Sequence, residues 1–239
     1  MFIQMKACLI NKCSGIMQNL KINMNFLKIV AITGMFLQHF AVIILDPSKV
    51  LTNILINIGV VTFPIIIFIL VEGFIYTRNI YKYLFRILIC GLVSEIPFRM
   101  IFPMDEIFFG NIMITLFVSL LCLYLLKKIN NPILMVLTII LMSIISLALR
   151  VDYFFYGILL SINFYYFRNE KSVKYILGLL IIIVLTKYNF IMSIISIILI
   201  SLYDEKKEYI KPTKTKQMFF YFFYPVHFII IAIIKQLLQ

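Results

Sequence analysis

With 239 residues, 63% of them hydrophobic, and a mean hydropathy of +1.06, the chain carries more apolar surface than an aqueous fold can cover, which excludes soluble classes and defines a polytopic membrane protein. Its formal net charge of +12 would indicate nucleic acid in a soluble domain, but here Lys and Arg gather between apolar runs and report orientation, so no nucleic-acid partner is expected. The four cysteines, Cys8, Cys13, Cys90 and Cys122, form no C-x-x-C pair, so neither a disulfide framework nor a metal site is expected.

In chain order, residues 1–25 form an N-terminal extension containing Lys6, Lys12 and Lys21. It lacks a small-residue cleavage site after an apolar core, unlike a secretory signal, and reads as a disordered segment or a mis-assigned start, with Met24 as the alternative. Residues 26–239 read as a single all-α domain, a helical bundle of about nine transmembrane spans. The spans fall at 26–45, 50–77, 82–102, 109–126, 132–149, 153–167, 172–186, 188–203 and 217–238, each bounded by charge, Pro or Asn. The second is long enough for a short interfacial helix up to about Gly59 followed by the true span. The sixth and seventh are short enough to tilt poorly or re-enter.

Of the 22 Lys and Arg, only Lys49, Arg99, Arg150, Lys187 and Lys235 fall on the side opposite the N-terminus, leaving 17 on its own side. The asymmetry places the N-terminus in the cytoplasm. Lys28 then lies at the cytoplasmic end of the first span and His39 towards its outer half. Eleven residues at about 100° each put the two within roughly 20° of one helix face, about 16 Å apart along the axis. An ionisable group at such depth is a functional-site hypothesis by default. The connection EGFIYTRNIYKYLFR adds Glu72, Arg78, Asn79, Lys82 and Arg86 at the same cytoplasmic level. It is a candidate anion cradle, because guanidinium recognises phosphate bidentately; the alternative is snorkelling of these basic groups to lipid headgroups. Nearer the outer face lie Glu95 and Arg99, spaced to pair i, i+4, then Asn111, Thr115, Asp152 and Tyr153. His227, the second of two histidines, follows Pro225 in the last span.

The stretches LKIVAITGMFLQHF, FPIIIFILVEGFIYTRNIYKYLFRILICGLVSEIPF, GNIMITLFVSLL, VDYFFYG and FYPVHF together resemble the TraX family of integral membrane proteins, from about Lys28 to His227. The resemblance implies a fold similar to the transmembrane acyltransferases and an association with pilin acetylation. It implies an acyl-CoA-dependent transferase of the bacterial cytoplasmic membrane, using acetyl-CoA or another acyl-CoA as co-substrate and no metal. The partners implied are the lipid bilayer and a peptide, pilin-like, glycan or lipid acceptor. Lys28, Glu72, Arg78, Asn79 and Arg86 would hold the acyl-CoA. His39 would be the base or acyl carrier, with Glu95 or Asp152 supporting it, and Asn111, Thr115, Tyr153 and His227 would serve the acceptor or the oxyanion. Gln38 stands where the family usually has Asp, and Tyr76 where it has His. These departures keep open a catalytically inactive membrane partner, such as an immunity or assembly factor. A small-solute transporter is the third class, disfavoured by the lack of an inverted repeat.

Overall fold

Asparagine starts five of the helices: the side chains of Asn23, Asn79, Asn111, Asn131 and Asn189 each accept a hydrogen bond from a backbone N–H of the first turn. Each cap satisfies donors that the helix cannot, which matters more where lipid offers none. The computed structural model describes residues 21–102, 110–185, 189–203 and 214–238. Within them are ten helices: α1 (Met24–Ile44), α2 (Val50–Val60), α3 (Thr62–Tyr76), α4 (Ile80–Ile101), α5 (Ile112–Lys128), α6 (Pro132–Ala148), α7 (Tyr156–Tyr166), α8 (Lys171–Leu185), α9 (Phe190–Ser201) and α10 (Lys214–Leu237). The protein is an all-helical membrane bundle, and helices α2 and α3 run on as one pass with a break at Val61.

Three described passes, Met24–Ile44, Val50–Tyr76 and Met218–Leu237, are long and apolar enough to cross a bilayer unaided. Pro132–Ala148 and Phe190–Ser201 are apolar but shorter, and α4 has the length but carries Lys82, Arg86, Glu95 and Arg99. Those four charges are accommodated by the cavity and ion pair described below. Helix α3 is apolar all round except for Glu72 in its last turns and is the central element. It packs against α1, α5, α7 and α9 and buries Phe63, Ile65, Ile67, Phe68, Leu70, Val71 and Phe74. Helix α6 is peripheral, burying only Met142 and Ser146 and turning the rest of its apolar surface outward, as lipid contact requires.

The chain enters the bundle slightly before residue 26, since the N–H of Ile22 donates to the Leu202 carbonyl at 3.0 Å and α1 starts at Met24. Most of the N-terminal extension lies outside the described residues. After α1, Asp46 accepts from both the backbone N–H and the hydroxyl of Ser48, and these bonds hold its carboxyl below the usual carboxylate range. Between α6 and α7 the chain turns inward at a buried Val151. Arg150, Tyr153 and Phe154 there take left-handed backbone angles of 48°, 58° and 43°, a conformation costing about 1–3 kcal/mol each in non-glycine residues. Stacking of Tyr153 on Phe63, with ring centroids 3.8 Å apart, and donation from the Thr115 hydroxyl to the Asp152 carbonyl hold the turn in place. The sixth span therefore begins at Tyr156 rather than 153, because the preceding apolar residues form this turn.

Candidate functional site

A cavity of about 590 Å³ opens at the end of the bundle that carries Lys28, walled by α1, α3, α4, α5 and α10. Its rim gathers Lys28, Arg78, Asn79, Lys82 and Arg86, and its depth is apolar, with Ile66, Ile69, Leu70, Met35 and Leu116. Four of the five residues expected to grip an anionic co-substrate thus line one space. The α3–α4 connection explains the convergence. Asn79 caps α4 through Lys82 N–H at 3.0 Å, so the positive end of that helix dipole points into the same rim. One turn further on, Arg86 projects from α4 with its guanidinium 5.8 Å from the Tyr83 ring and 5.9 Å from the Tyr221 ring. Its Nε is buried without a hydrogen-bond partner among the described residues. Tyr83 can lie this close to α3 because Gly73 has no side chain: a Cβ there would sit 2.6 Å from the Tyr83 hydroxyl. Lys28 spans the opposite wall, its Nζ 5.1 Å from the Phe220 ring.

Glu72, the fifth expected contact, is placed elsewhere. It is buried and paired with Arg168 at 3.2 Å, and the same guanidinium nitrogen also donates to the Tyr76 hydroxyl at 3.0 Å. In the sequence Arg168 carries information only on orientation; its partners lie more than ninety positions away, and no local pattern announces them. Tyr76 joins this pair to the cavity wall, since it lines the cavity as well.

Lys28, Ala31, Ile32 and Met35 form the α1 stripe of the cavity, and His39 continues that stripe one turn beyond. There His39 Nδ1 meets His227 Nε2 of α10 at 3.0 Å, with the rings stacked at 16° and 5.2 Å. Phe102 and Phe228 pack against the His39 ring. Tyr224 connects the two levels: it lines the cavity, its ring is 5.4 Å from that of His227, and its oxygen accepts the Ile112 N–H at 3.2 Å. The phenolic hydrogen is left to donate elsewhere. Neither Tyr224 nor the histidine pairing was singled out from the sequence, although Tyr224 precedes His227 by one helical turn in FYPVHF.

The remaining candidates sit in hydrogen-bonded networks. Glu95 pairs with Arg99 at 2.9 Å and accepts from the Asn111 amide, whose nitrogen also donates to the Gly91 carbonyl while its oxygen caps α5. The Thr115 hydroxyl donates to the Asp152 backbone rather than to its carboxylate. Tyr153 is stacked on Phe63. Gln38 packs across α1 onto Gly59 of α2. Among the described residues no group of three or more His, Cys, Asp and Glu is placed to hold a metal.

A polytopic helical membrane protein with Lys28, Arg78, Lys82 and Arg86 gathered at one end cavity is the class that fold and site define. Within it, the chain belongs to the TraX family, matching the description "TraX protein" over residues 23–235. It is similar to the probable fimbrial assembly protein FimC, serogroup H1, of Dichelobacter nodosus, at 27% identity over 89% of this chain and 96% of that one. No solved structure matches it.

Proposed function

We propose that this protein is a membrane-embedded acyltransferase of the bacterial cytoplasmic membrane, carrying an acyl group, acetyl in the simplest case, from cytoplasmic acyl-CoA to an amine or hydroxyl of a peptide, pilin-like or envelope acceptor. The observation that carries it is the cavity whose polar rim includes Lys28, Arg78, Asn79, Lys82 and Arg86 and whose α1 lining, Lys28 to Met35, leads towards His39 one turn beyond. The rim suits the phosphates of a nucleotide-bearing thioester, and the apolar shaft suits its uncharged arm. At the far end, His39 removes the proton from the acceptor nucleophile as it attacks the thioester carbonyl, and returns it to the departing sulfur. Tyr224 donates its phenolic hydrogen to the oxyanion formed between those events. Arg86, held near the Tyr83 and Tyr221 rings, would hold phosphate with little further ordering.

The test is transfer from labelled acetyl-CoA by the purified protein in lipid nanodiscs, with peptides bearing a free amine as acceptors, alongside mass spectrometry of envelope peptides, glycans and lipids from cells with and without the gene. Loss of an acetyl or longer acyl mark in the deletion is the expected result. A second reading is favoured by Gln38, packed on Gly59, and by the printed name of the Dichelobacter nodosus relative: a partner in fimbrial assembly that performs no transfer. It predicts an unchanged acyl inventory with impaired surface assembly.

A further inference from the structure

The chain has two histidines, and they share one hydrogen bond, His39 Nδ1 to His227 Nε2 at 3.0 Å. A neutral imidazole has one N–H and one bare nitrogen, so one ring must donate and the other accept. The other nitrogen of His227 decides which. His227 Nδ1 lies 3.2 Å from the Phe223 carbonyl oxygen, and a carbonyl only accepts, so Nδ1 carries the hydrogen. His227 Nε2 is therefore bare and accepts from His39 Nδ1–H. The one nitrogen left bare in the pair is His39 Nε2. Reversing both tautomers would face lone pair against lone pair at Phe223, leaving a buried acceptor pair without a hydrogen between them.

Packing keeps the acceptor ring from turning to escape this choice. His227 is fully buried, parallel to Phe223 within 7° at 5.5 Å and 3.9 Å from Phe228. His39 is only half-buried, and its bare nitrogen lies on the ring edge away from His227. We infer that His227 is a positioning residue that fixes His39 as the Nδ1–H tautomer, so that Nε2 of His39 is the nitrogen offered to a proton of the acceptor. An imidazole free of such a partner favours the hydrogen on Nε2, where it would block that role. When His39 Nε2 takes the proton, Nδ1–H stays donated to His227, and the second ring stabilises the charge until the proton leaves.

The catalytic half of this inference rests on the acyltransferase reading; the tautomer half does not, and the two are tested separately. Protein labelled with nitrogen-15 histidine in nanodiscs contains only two imidazoles to observe. Wild type should show both rings with hydrogen on Nδ1 and bare Nε2. His227→Leu should move the His39 hydrogen to Nε2, while His227→Gln, whose amide oxygen falls near the former Nε2, should keep it on Nδ1. A wild-type His39 with hydrogen on Nε2, or a tautomer unchanged in His227→Leu, overturns the inference whether or not turnover is seen. In the transfer assay His227→Leu should lower kcat about 10 to 100-fold with KM for acyl-CoA unchanged, because His227 is not in the cavity wall, and His227→Gln should retain most of it. Equal losses in the two variants would mean that His227 itself titrates or touches substrate, contrary to a positioning role. Absence of transfer in wild type would sink the acyltransferase reading and leave the tautomer result standing.

Discussion

At the scale of single residues, the acyltransferase reading assigns chemistry to His39 and binding to Arg86, and the two can be tested apart. His39→Ala fills a helical position with a good helix former and removes the bare nitrogen, so transfer should fall about 10² to 10⁴-fold while the protein inserts normally. His39→Gln retains hydrogen bonding to His227 without a titratable group, and activity near wild type in that variant would reduce His39 to a structural contact. Arg86 and Arg78 line the same cavity, but Arg78 is exposed at the rim and Arg86 is half-buried against two rings. Arg86→Gln should therefore raise the acyl-CoA concentration for half-maximal turnover more than Arg78→Gln does, and the Arg78 effect should fade sooner with salt. Lysine at 86 should restore only part, lacking the planar fork that stacks and binds in two places. Unchanged half-saturation in both glutamine variants would return these arginines to headgroup anchoring. Titration curves should be fitted on the same preparations that pass a folding check.

At the scale of helices, α1 and α2 approach closely because Gly34 of α1 lies against Ile58 and Gly59 of α2, a common device where lipid supplies no hydrophobic drive. A Cβ on Gly59 would meet the Gln38 Cβ at 2.3 Å, so Gly59→Ala should destabilise the bundle by roughly 1–3 kcal/mol, read as a lower unfolding midpoint in detergent. Adding Gln38→Ala should recover little, since alanine keeps the clashing atom; full recovery would locate the conflict in the flexible amide instead. The helices themselves were legible in the sequence because apolar runs end at Lys, Arg or Asn, and the boundaries agree to within three residues. Two of the offsets have clear local causes. Asn79 caps α4, so the helix starts at Ile80 and not at the first charge, Lys82. The turn at Tyr153 and Phe154 is left-handed, which hydropathy does not encode. The basic rim was legible for a related reason: charges flanking one short connection must emerge at one level. The Glu72–Arg168 pair and the His39–His227 bond, 188 positions apart, depend on which helices pack together, and no local signal fixes that.

At the scale of the whole molecule, long-range bonds sort the connections into two levels. Ile22 meets Leu202, Glu72 meets Arg168, and the Tyr81 hydroxyl meets that of Tyr124 at 2.7 Å, so the start of α1, the ends of α3, α5, α7 and α9, and the start of α4 share the basic level. Asn57 meets Asn189 and Thr115 meets the Asp152 backbone, which groups the starts of α5 and α9 and the α6–α7 turn on the other. The excess of Lys and Arg at the first level predicts that it faces the cytoplasm, the side from which the proposed acyl-CoA would enter. Fluorescent reporters fused after Lys128 and after Arg168 should therefore shine, and alkaline phosphatase fused there should be inactive; fusions after Asp46 and after Arg150 should behave in the opposite way. The Arg168 fusion is the decisive one, because Arg168 is bonded to Glu72 and Tyr76 beside the cavity. Phosphatase activity at Arg168 would turn the basic rim to the outside, away from any cytoplasmic thioester, and the acyl-CoA reading of Lys28, Arg78 and Arg86 would fall with it.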